Sequence, residues 1–280
     1  MKVITLVHGR NAHLTNLIQG LERSSVIPEG LWIVHMNEPP GEFASASFPI
    51  ETLQVNGIAG LPLAKARNSV SAIDPAALWV FLDVDCIPAS DLLAHYRDGL
   101  RAQPDALHMG QVLYLPQGAN DSGWAEDALY EQGVEHPLAK FRNGPGSTLP
   151  YPLFWSLNFA CSASTFARVG GFDEDYQGYG GEDTDFAFRA RHKGVTLLNS
   201  SAMAFHQYHP TYDPPLNHFA DIIANAQRFY RRWGVWPMEG WLRAFSARGL
   251  VRWTDERLEI LQTPSAELVA QALETRCLGF

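Results

Sequence analysis

Residues 78–82 read Leu-Trp-Val-Phe-Leu, apolar at every position, and they run straight into Asp83 and Asp85 (LWVFLDVD). A strand with one face in water alternates apolar and polar residues. A strand with no polar position needs helices over both faces, which is the condition of a largely parallel α/β sheet. The chain on either side fits that architecture. KVITLV (2–7), LWIVHM (31–36) and, more weakly, PIETLQV (49–55) predict strands. Between them NAHLTNLIQGLERS (11–24) carries Leu14, Leu17, Ile18 and Leu21 at helical spacing. LAKARNSVSAI (63–73) predicts a helix stopped by Asp74-Pro75, and SDLLAHYRDGL (90–100) a helix with Ser90 as its cap. In an open sheet of this kind a ligand sits at the carboxyl ends of the strands, where Asp83 and Asp85 stand.

The second half is less uniform. Residues 116–150 are rich in Gly, Pro and polar side chains and predict a flexible loop, of the kind that acts as a lid or connector. Order returns at LFWSLNFACSA, followed by a helix in EDTDFAFRARHKG and two short strands, VTLLNS and AMAFHQ. A Trp- and Arg-rich stretch, 217–245, predicts helix, and 261–277 one more amphipathic helix. The expected organisation is an α/β domain over 1–214, with a nucleotide-binding half at 1–115, the loop at 116–150 and an acceptor-side half at 151–214. A helical extension over 215–280 follows.

The formal net charge of −9 argues against a nucleic-acid partner, which needs a basic face, but leaves room for a small anion met by a metal and a few Arg. Three well-separated cysteines, Cys86, Cys161 and Cys277, form no disulfide framework and point to a reducing compartment. The first ten residues are too short an apolar run for a signal peptide, and no stretch is long enough to span a bilayer. The expectation is a cytoplasmic protein. Arg228, Arg231, Arg232, Trp233 and Trp236 offer peripheral docking at the inner face of a membrane as one reading and helix packing as the other.

Residues i and i+2 of an extended chain point the same way, so Asp83 and Asp85 are expected to converge on one site. Two close carboxylates are tolerated when a divalent cation lies between them and a phosphate, and oxygen donors suit Mg²⁺ or Mn²⁺. The bland alternative is a turn. A strand ending in D-x-D also opens the haloacid-dehalogenase phosphatases, but Cys86 and Ile87 follow here and the motif lies deep in the chain. A second acidic cluster, YGGEDTDF (179–186), places Glu182, Asp183 and Asp185 in the first turn of a helix. Acids there complement the helix dipole. The double Gly and the preceding Tyr179 go beyond that need: an aromatic ring beside a carboxylate is how proteins hold sugars, and one acid can serve as general base to a hydroxyl.

Several ordered stretches, the first strand with HGRN, LAKARN, VFLDVDCIP, NFACSASTFARVGGFDEDY, YGGEDTDF and MAFH, together resemble the GT-A-fold glycosyltransferases of the large inverting family 2. The later half resembles the C-terminal region of the beta-1,4-galactosyltransferases. The resemblance runs from residue 3 to about 210. It implies that Asp85 ligates a metal and Asp83 touches ribose or metal. It implies further that Met203 and His206 supply metal ligands, with a core role for Met203 as the alternative, and it gives no support to His209 or His192. It makes Asp183 the general base and Glu182 a ligand of acceptor hydroxyls, and leaves Asp185 to the helix start. Tyr179 stands where relatives often carry Trp. For the nucleotide the resemblance offers His8, Arg10 and Arg67, and more loosely Asn37 and Glu38. Asn158 would meet the donor sugar and Trp155 the acceptor.

The implied activity is metal-dependent transfer of a sugar from a nucleotide diphosphate, UDP by expectation, to the hydroxyl of a glycan, lipid-linked or small-molecule acceptor. The cofactor would be Mn²⁺ or Mg²⁺, and the 116–150 segment would close over the donor. The rivals are a non-catalytic nucleotide-sugar-binding module on the same fold and a metal-dependent phosphatase or nucleotidyltransferase.

Overall fold

The structure, a computed structural model, describes residues 1–58, 60–72, 77–121 and 123–275. The helix stop predicted at Asp74-Pro75 and the third cysteine, Cys277, lie outside them. The elements run β1 (Lys2–Val7), α1 (Asn11–Glu22), β2 (Gly30–Met36), β3 (Ile50–Val55), α2 (Leu63–Asn68), β4 (Leu78–Leu82), β5 (Cys86–Pro88), α3 (Leu92–Ala102), β6 (Leu107–Tyr114), α4 (Glu126–Gln132), β7 (Val134–Glu135), β8 (Asn158–Ser162), α5 (Ala163–Val169), α6 (Glu182–His192) and β9 (Leu197–His206). Beyond these lie α7 (Phe219–Trp233), α8 (Glu239–Ala247) and α9 (Ala266–Gln271).

Strands β1 to β9 make one sheet in the order β3-β2-β1-β4-β8-β6-β9-β5, with β7 on the edge of β6. The pairings β3-β2, β2-β1, β1-β4 and β6-β9 are parallel, and β8 is antiparallel to both β4 and β6. Strands β1, β2, β3, β4, β6 and β9 therefore share one direction, so the sheet is mostly parallel, as the apolar 78–82 run requires. Its two faces are both covered. Trp79 and Phe81 of β4 face a cluster with Phe159, Phe166 and Phe186, while Val80 and Leu82 face Leu14, Leu17, Leu92 and Tyr96 of α1 and α3. Phe81 stacks on Phe159 at 4.5 Å between ring centres, and its truncation to Ala would cost about 3–5 kcal/mol.

Four local expectations are corrected. Ser90 does not cap α3; its hydroxyl and amide donate to Glu126 at 3.1 and 3.0 Å, tying β5 to the start of α4. The 116–150 segment, expected to be loop, contains that helix, and its Leu129 is fully buried against Ile87, Leu113 and Phe205. VTLLNS and AMAFHQ form one continuous strand, β9. The 217–245 helix is two helices, separated at Gly234, whose φ of +68° ends α7. These C-terminal helices have a core of their own around Phe219, Ile222, Leu242 and Phe245. A short antiparallel hairpin, Val251–Trp253 with Leu258–Ile260, accompanies them.

Arg228, Arg232 and Trp233 are committed to holding this extension on the main domain. Arg228 pairs with Asp173 at 3.2 Å and Arg232 with the same carboxylate at 2.9 Å. The Trp233 indole donates to Asp185 at 2.8 Å. Trp236 stacks on Tyr230 at 4.0 Å. Among the described residues no helix is long and apolar enough to cross a membrane.

Candidate active site

The sheet delivers β4 to the site and stops it abruptly. The strand ends at Leu82, the Asp83 amide donates to the Leu157 carbonyl at 2.9 Å, and the Cys86 amide closes a turn onto the Asp83 carbonyl at 2.9 Å. Asp83 and Asp85 thus lie in a turn rather than on an extended strand, and they do not share one set of partners as i, i+2 alternation predicted. Asp85 is buried and faces Arg10, His206 and His209; Asp83 faces Arg67.

The Asp85 cluster is assembled by β9. Pairing of Cys86 with His206 sets the imidazole beside the carboxylate. Gln207, fully buried, fixes the chain beyond it: its amide donates to the Asp85 carbonyl at 2.6 Å and its side chain bonds Asn16, Asn120 and the His13 carbonyl. Nε2 of His206 and Nε2 of His209 each lie 3.5 Å from an Asp85 carboxylate oxygen, and Arg10 bonds the same carboxylate. Donor atoms of Asp85, His206 and His209 all fall within 4.8 Å of one another. Burial resists ionisation of Asp85, but His206, the His209 hydrogen bond and Arg10 outweigh it and hold the carboxyl well below its usual range. Burial lowers His206 to about 4 against the pull of Asp85, so its ring is neutral with a free lone pair. One carboxylate and two imidazoles fit a divalent cation, and the imidazoles favour Mn²⁺ or a later first-row ion over Mg²⁺.

His209 had no support from sequence, although the H-x-x-H spacing of His206 and His209 just past a strand was the available signal. Met203 behaves in the opposite way. It sits three residues before His206 on the same strand, so alternation turns it to the other face, where it packs against the Ile87, Leu113 and Phe205 cluster.

The second acidic cluster begins where Gly180 and Gly181 adopt φ of +93° and +91°. These left-handed angles favour glycine, and a Cβ on Gly180 would also come within 2.9 Å of the Met238 sulfur where the chain enters α6. Glu182, buried, pairs with Arg67 at 3.3 Å, and the other end of that guanidinium lies 3.5 Å from Asp83. Arg67 therefore ties the β4 turn to the start of α6. Asp83 is pushed up to about 6, first by burial, with Asp85 and Glu182 adding to it and Arg67 opposing. Among the described residues the Asp183 side chain makes hydrogen bonds only with its neighbour: Oδ1 accepts from the Thr184 amide at 2.7 Å and from its hydroxyl at 3.4 Å. Burial, then Glu182, push its carboxyl up to about 7, against Arg67 and the Thr184 bonds. Asp185, assigned from sequence to the helix start, makes no cap there. It is fully buried and holds Arg189 at 3.0 Å, Trp233 and Arg232.

Other residues singled out from sequence are placed as follows. His8 bonds the Met36 carbonyl at 2.7 Å, and Glu38 accepts from the Gly9 amide at 2.7 Å and faces His35 at 3.2 Å, closing the β1–α1 turn against β2. Asn37, with φ of +54°, bridges to Gly57 and Gly60. The Asn158 amide is fully engaged, accepting from Tyr96 at 2.6 Å and donating to the Gln111 and Ala202 carbonyls, where β9 bulges opposite Gly110 of β6. Tyr179 stacks on His218 at 4.5 Å and Trp241 at 5.9 Å, and burial with Glu182 and Asp183 raises its hydroxyl. Trp155 packs against His136 at 4.4 Å, with Arg142 over its ring at 5.4 Å.

Comparison with known proteins bears on this arrangement. Residues 136–213 match a family described as the N-terminal domain of galactosyltransferase. Validoxylamine A glucosyltransferase of Streptomyces hygroscopicus subsp. limoneus is 24% identical over 314 residues, covering 100% of this chain and 67% of the relative. Human beta-1,4-galactosyltransferase 3 is 33% identical over 105 residues, covering 36% of this chain and 25% of the relative. Among solved structures, GalNAc-T7 with UDP, GalNAc and Mn²⁺ superposes with a TM-score of 0.53 at 16% identity, over 74% of this chain and 44% of that one. S. aureus TarS 1–349 in complex with UDP-GlcNAc gives 0.52 at 13% identity, over 82% of this chain and 66% of that one. The chain thus spans from a quarter to about two thirds of the length of these relatives. The chain shares the GT-A fold of these solved glycosyltransferase structures, and residues 136–213 are the part that matches the galactosyltransferase model.

Proposed function

We propose that the protein transfers a sugar from a UDP-linked donor to an acceptor hydroxyl with inversion, using a divalent cation at Asp85, His206 and His209 and Asp183 as general base. The observation that carries this reading is the pairing of a compact carboxylate–imidazole donor set with a separate carboxyl poised near neutrality. The cation, when bound, neutralises charge on the departing diphosphate. Arg10, which bonds Asp85 in this structure, adds its charge to the phosphate side. Arg67 orients Asp83 toward the nucleotide and Glu182 toward the acceptor. Asp183 takes the proton of the acceptor hydroxyl as that oxygen bonds the anomeric carbon and the bond to the diphosphate oxygen breaks. A single displacement of this kind inverts the centre. The donor class is supported by the UDP and UDP-GlcNAc held by structural relatives of the same fold.

A thermal-shift series with UDP, UDP-glucose, UDP-galactose and UDP-GlcNAc, with and without Mn²⁺, tests the donor and the cation together, since a bound ligand stabilises by mass action. Stabilisation by a UDP-sugar that requires Mn²⁺ is expected; no response to any of them removes the reading. Product analysis then separates transfer, which releases UDP, from phosphatase or nucleotidyltransferase chemistry, which releases phosphate or pyrophosphate.

A further inference from the structure

A cavity of about 330 Å³ lies along β6 beneath the 134–145 segment, within the range of small-molecule pockets of about 300–1000 Å³. Its two ends differ. At the strand end Tyr114 closes it, with its ring 4.9 Å from that of His206, and Leu157 and Asn158, whose backbone holds the β4 turn, form the wall toward Asp83. Trp155 and His136 extend this aromatic side.

The inner end is polar, and its polarity is unanswered. Arg142 donates to the Gly110 carbonyl at 2.9 Å and to the Met109 sulfur at 3.7 Å and stands over Trp155. It has no carboxylate partner among the described residues. A guanidinium carries five donors, so most of its capacity is unused. Lys140 adds a second cation at the rim. Among the described residues no ion pair joins the rim's carboxylate, Glu135, to either of them. Asn199, 2% exposed, also lines the cavity; its amide nitrogen is bonded to the Asn143 carbonyl at 2.5 Å, while its Oδ1 has no partner. A buried acceptor left unmatched costs about 1–3 kcal/mol, which a hydroxyl donor would relieve.

Gly110 precedes Tyr114 by four residues, about 13 Å of strand. Arg142, bonded to the Gly110 carbonyl, therefore anchors the part of the cavity away from the Tyr114–His206 contact. We propose that this cavity binds a hydroxylated molecule with an anionic substituent, carboxylate or phosphate, held by Arg142 and Lys140 while a hydroxyl donates to Asn199 Oδ1. Glu182 and Asp183 do not line the cavity, so the inference stands apart from the transferase reading.

The test is calorimetric titration of the full chain with glucose, glucuronate and glucose 6-phosphate, at saturating UDP and Mn²⁺ so that the nucleotide site is filled. At least one of the anions is expected to bind tenfold or more tightly than glucose, and the better one identifies the substituent. Arg142→Gln is expected to bring the two within about threefold, with Asn199→Ala weakening all three sugars. If Arg142→Gln does not fold, Lys140→Ala, at an exposed side chain, is expected to weaken only the anions. Equal affinity for glucose and both anions, or an anion preference unchanged in every folded cation variant, overturns the proposal. Binding of UDP with Mn²⁺ is measured separately. Its presence with no anion preference rejects this inference alone, and its absence with anion preference intact rejects the transferase reading alone.

Discussion

Asp85 lies two residues after Asp83 and Asp183 one after Glu182, the two carboxylates that Arg67 joins, yet their surroundings treat ionisation in opposite ways. Asp85 is buried among Arg10, His206 and His209, and these hold its carboxyl well below the usual range despite the burial. Asp183 forms no ion pair of its own among the described residues, where Arg67 is engaged by Glu182 and Asp83, and burial with Glu182 raises it to about 7. The difference teaches that position in the fold, rather than residue type, divides the work. A carboxylate that never protonates is suited to gripping a cation, and one that exchanges its proton near neutrality is suited to acid–base chemistry.

The hardest blow to this comparison would come from Asp183→Asn. A positioned general base contributes about 10²–10⁴ in rate, so transfer is expected to fall by that range while Mn²⁺-dependent UDP binding, read by thermal shift, is unchanged. Retained transfer would break the assignment. Next in size is His209→Ala. Even outer-shell partners of a metal site cost about 10–100-fold in affinity, and a direct ligand is expected to cost at least tenfold in the apparent Kd for Mn²⁺. Met203→Leu, on the other face of β9, is expected to stay within about twofold, because it conserves volume in an apolar cluster. Equal losses from the two would place the sulfur in the site after all.

Much of this contrast was legible before the structure. The 78–82 run forced a sheet covered on both faces, and LWVFLDVD and YGGEDTDF located both acid clusters. What escaped depended on contacts between distant segments. Strand β6 carries His108, Gly110 and Gln111, which interrupt its apolar run, and it is a strand because β8 and β9 flank it. Asp185 reads as a helix-start acid, but its partner Trp233 lies 48 residues on. Asn158 looked free for a sugar, and only the β9 bulge opposite Gly110 explains why its amide is spent on backbone and Tyr96.

The pH profile sharpens the comparison further. With Mn²⁺ saturating, kcat/KM for transfer is expected to be level above about pH 7 and to fall close to tenfold for each pH unit below it, as Asp183 takes up its proton. The sign is fixed by chemistry: only the ionised form accepts the acceptor's proton. A profile that is flat from pH 5.5 to 8.5 would mean that the raised carboxyl does not act in the rate-determining events.

The smallest effect is on stability, and it runs counter to activity. The Asp183 carboxyl moves from an ordinary 3.8 to about 7 on folding, so the folded chain resists its charge. At about 1.4 kcal/mol per unit this sets a ceiling near 4 kcal/mol, and a half-buried group realises about 1–2 kcal/mol of it. Asp183→Asn removes the charge and keeps an oxygen for the Thr184 amide. The variant is therefore expected to melt a few degrees higher at pH 8, since about 1 kcal/mol moves Tm by 2–4 °C in a chain of this size. The gain should shrink as pH falls through 7 and vanish below about 4, where the carboxyl is protonated folded or unfolded. Asp85→Asn gives the mirror image, because an ionised partner is withdrawn from Arg10 and the two imidazoles, and it should melt lower at pH 8. If both variants shift Tm the same way, the two carboxylates are not opposites, and the division of labour drawn from their surroundings fails.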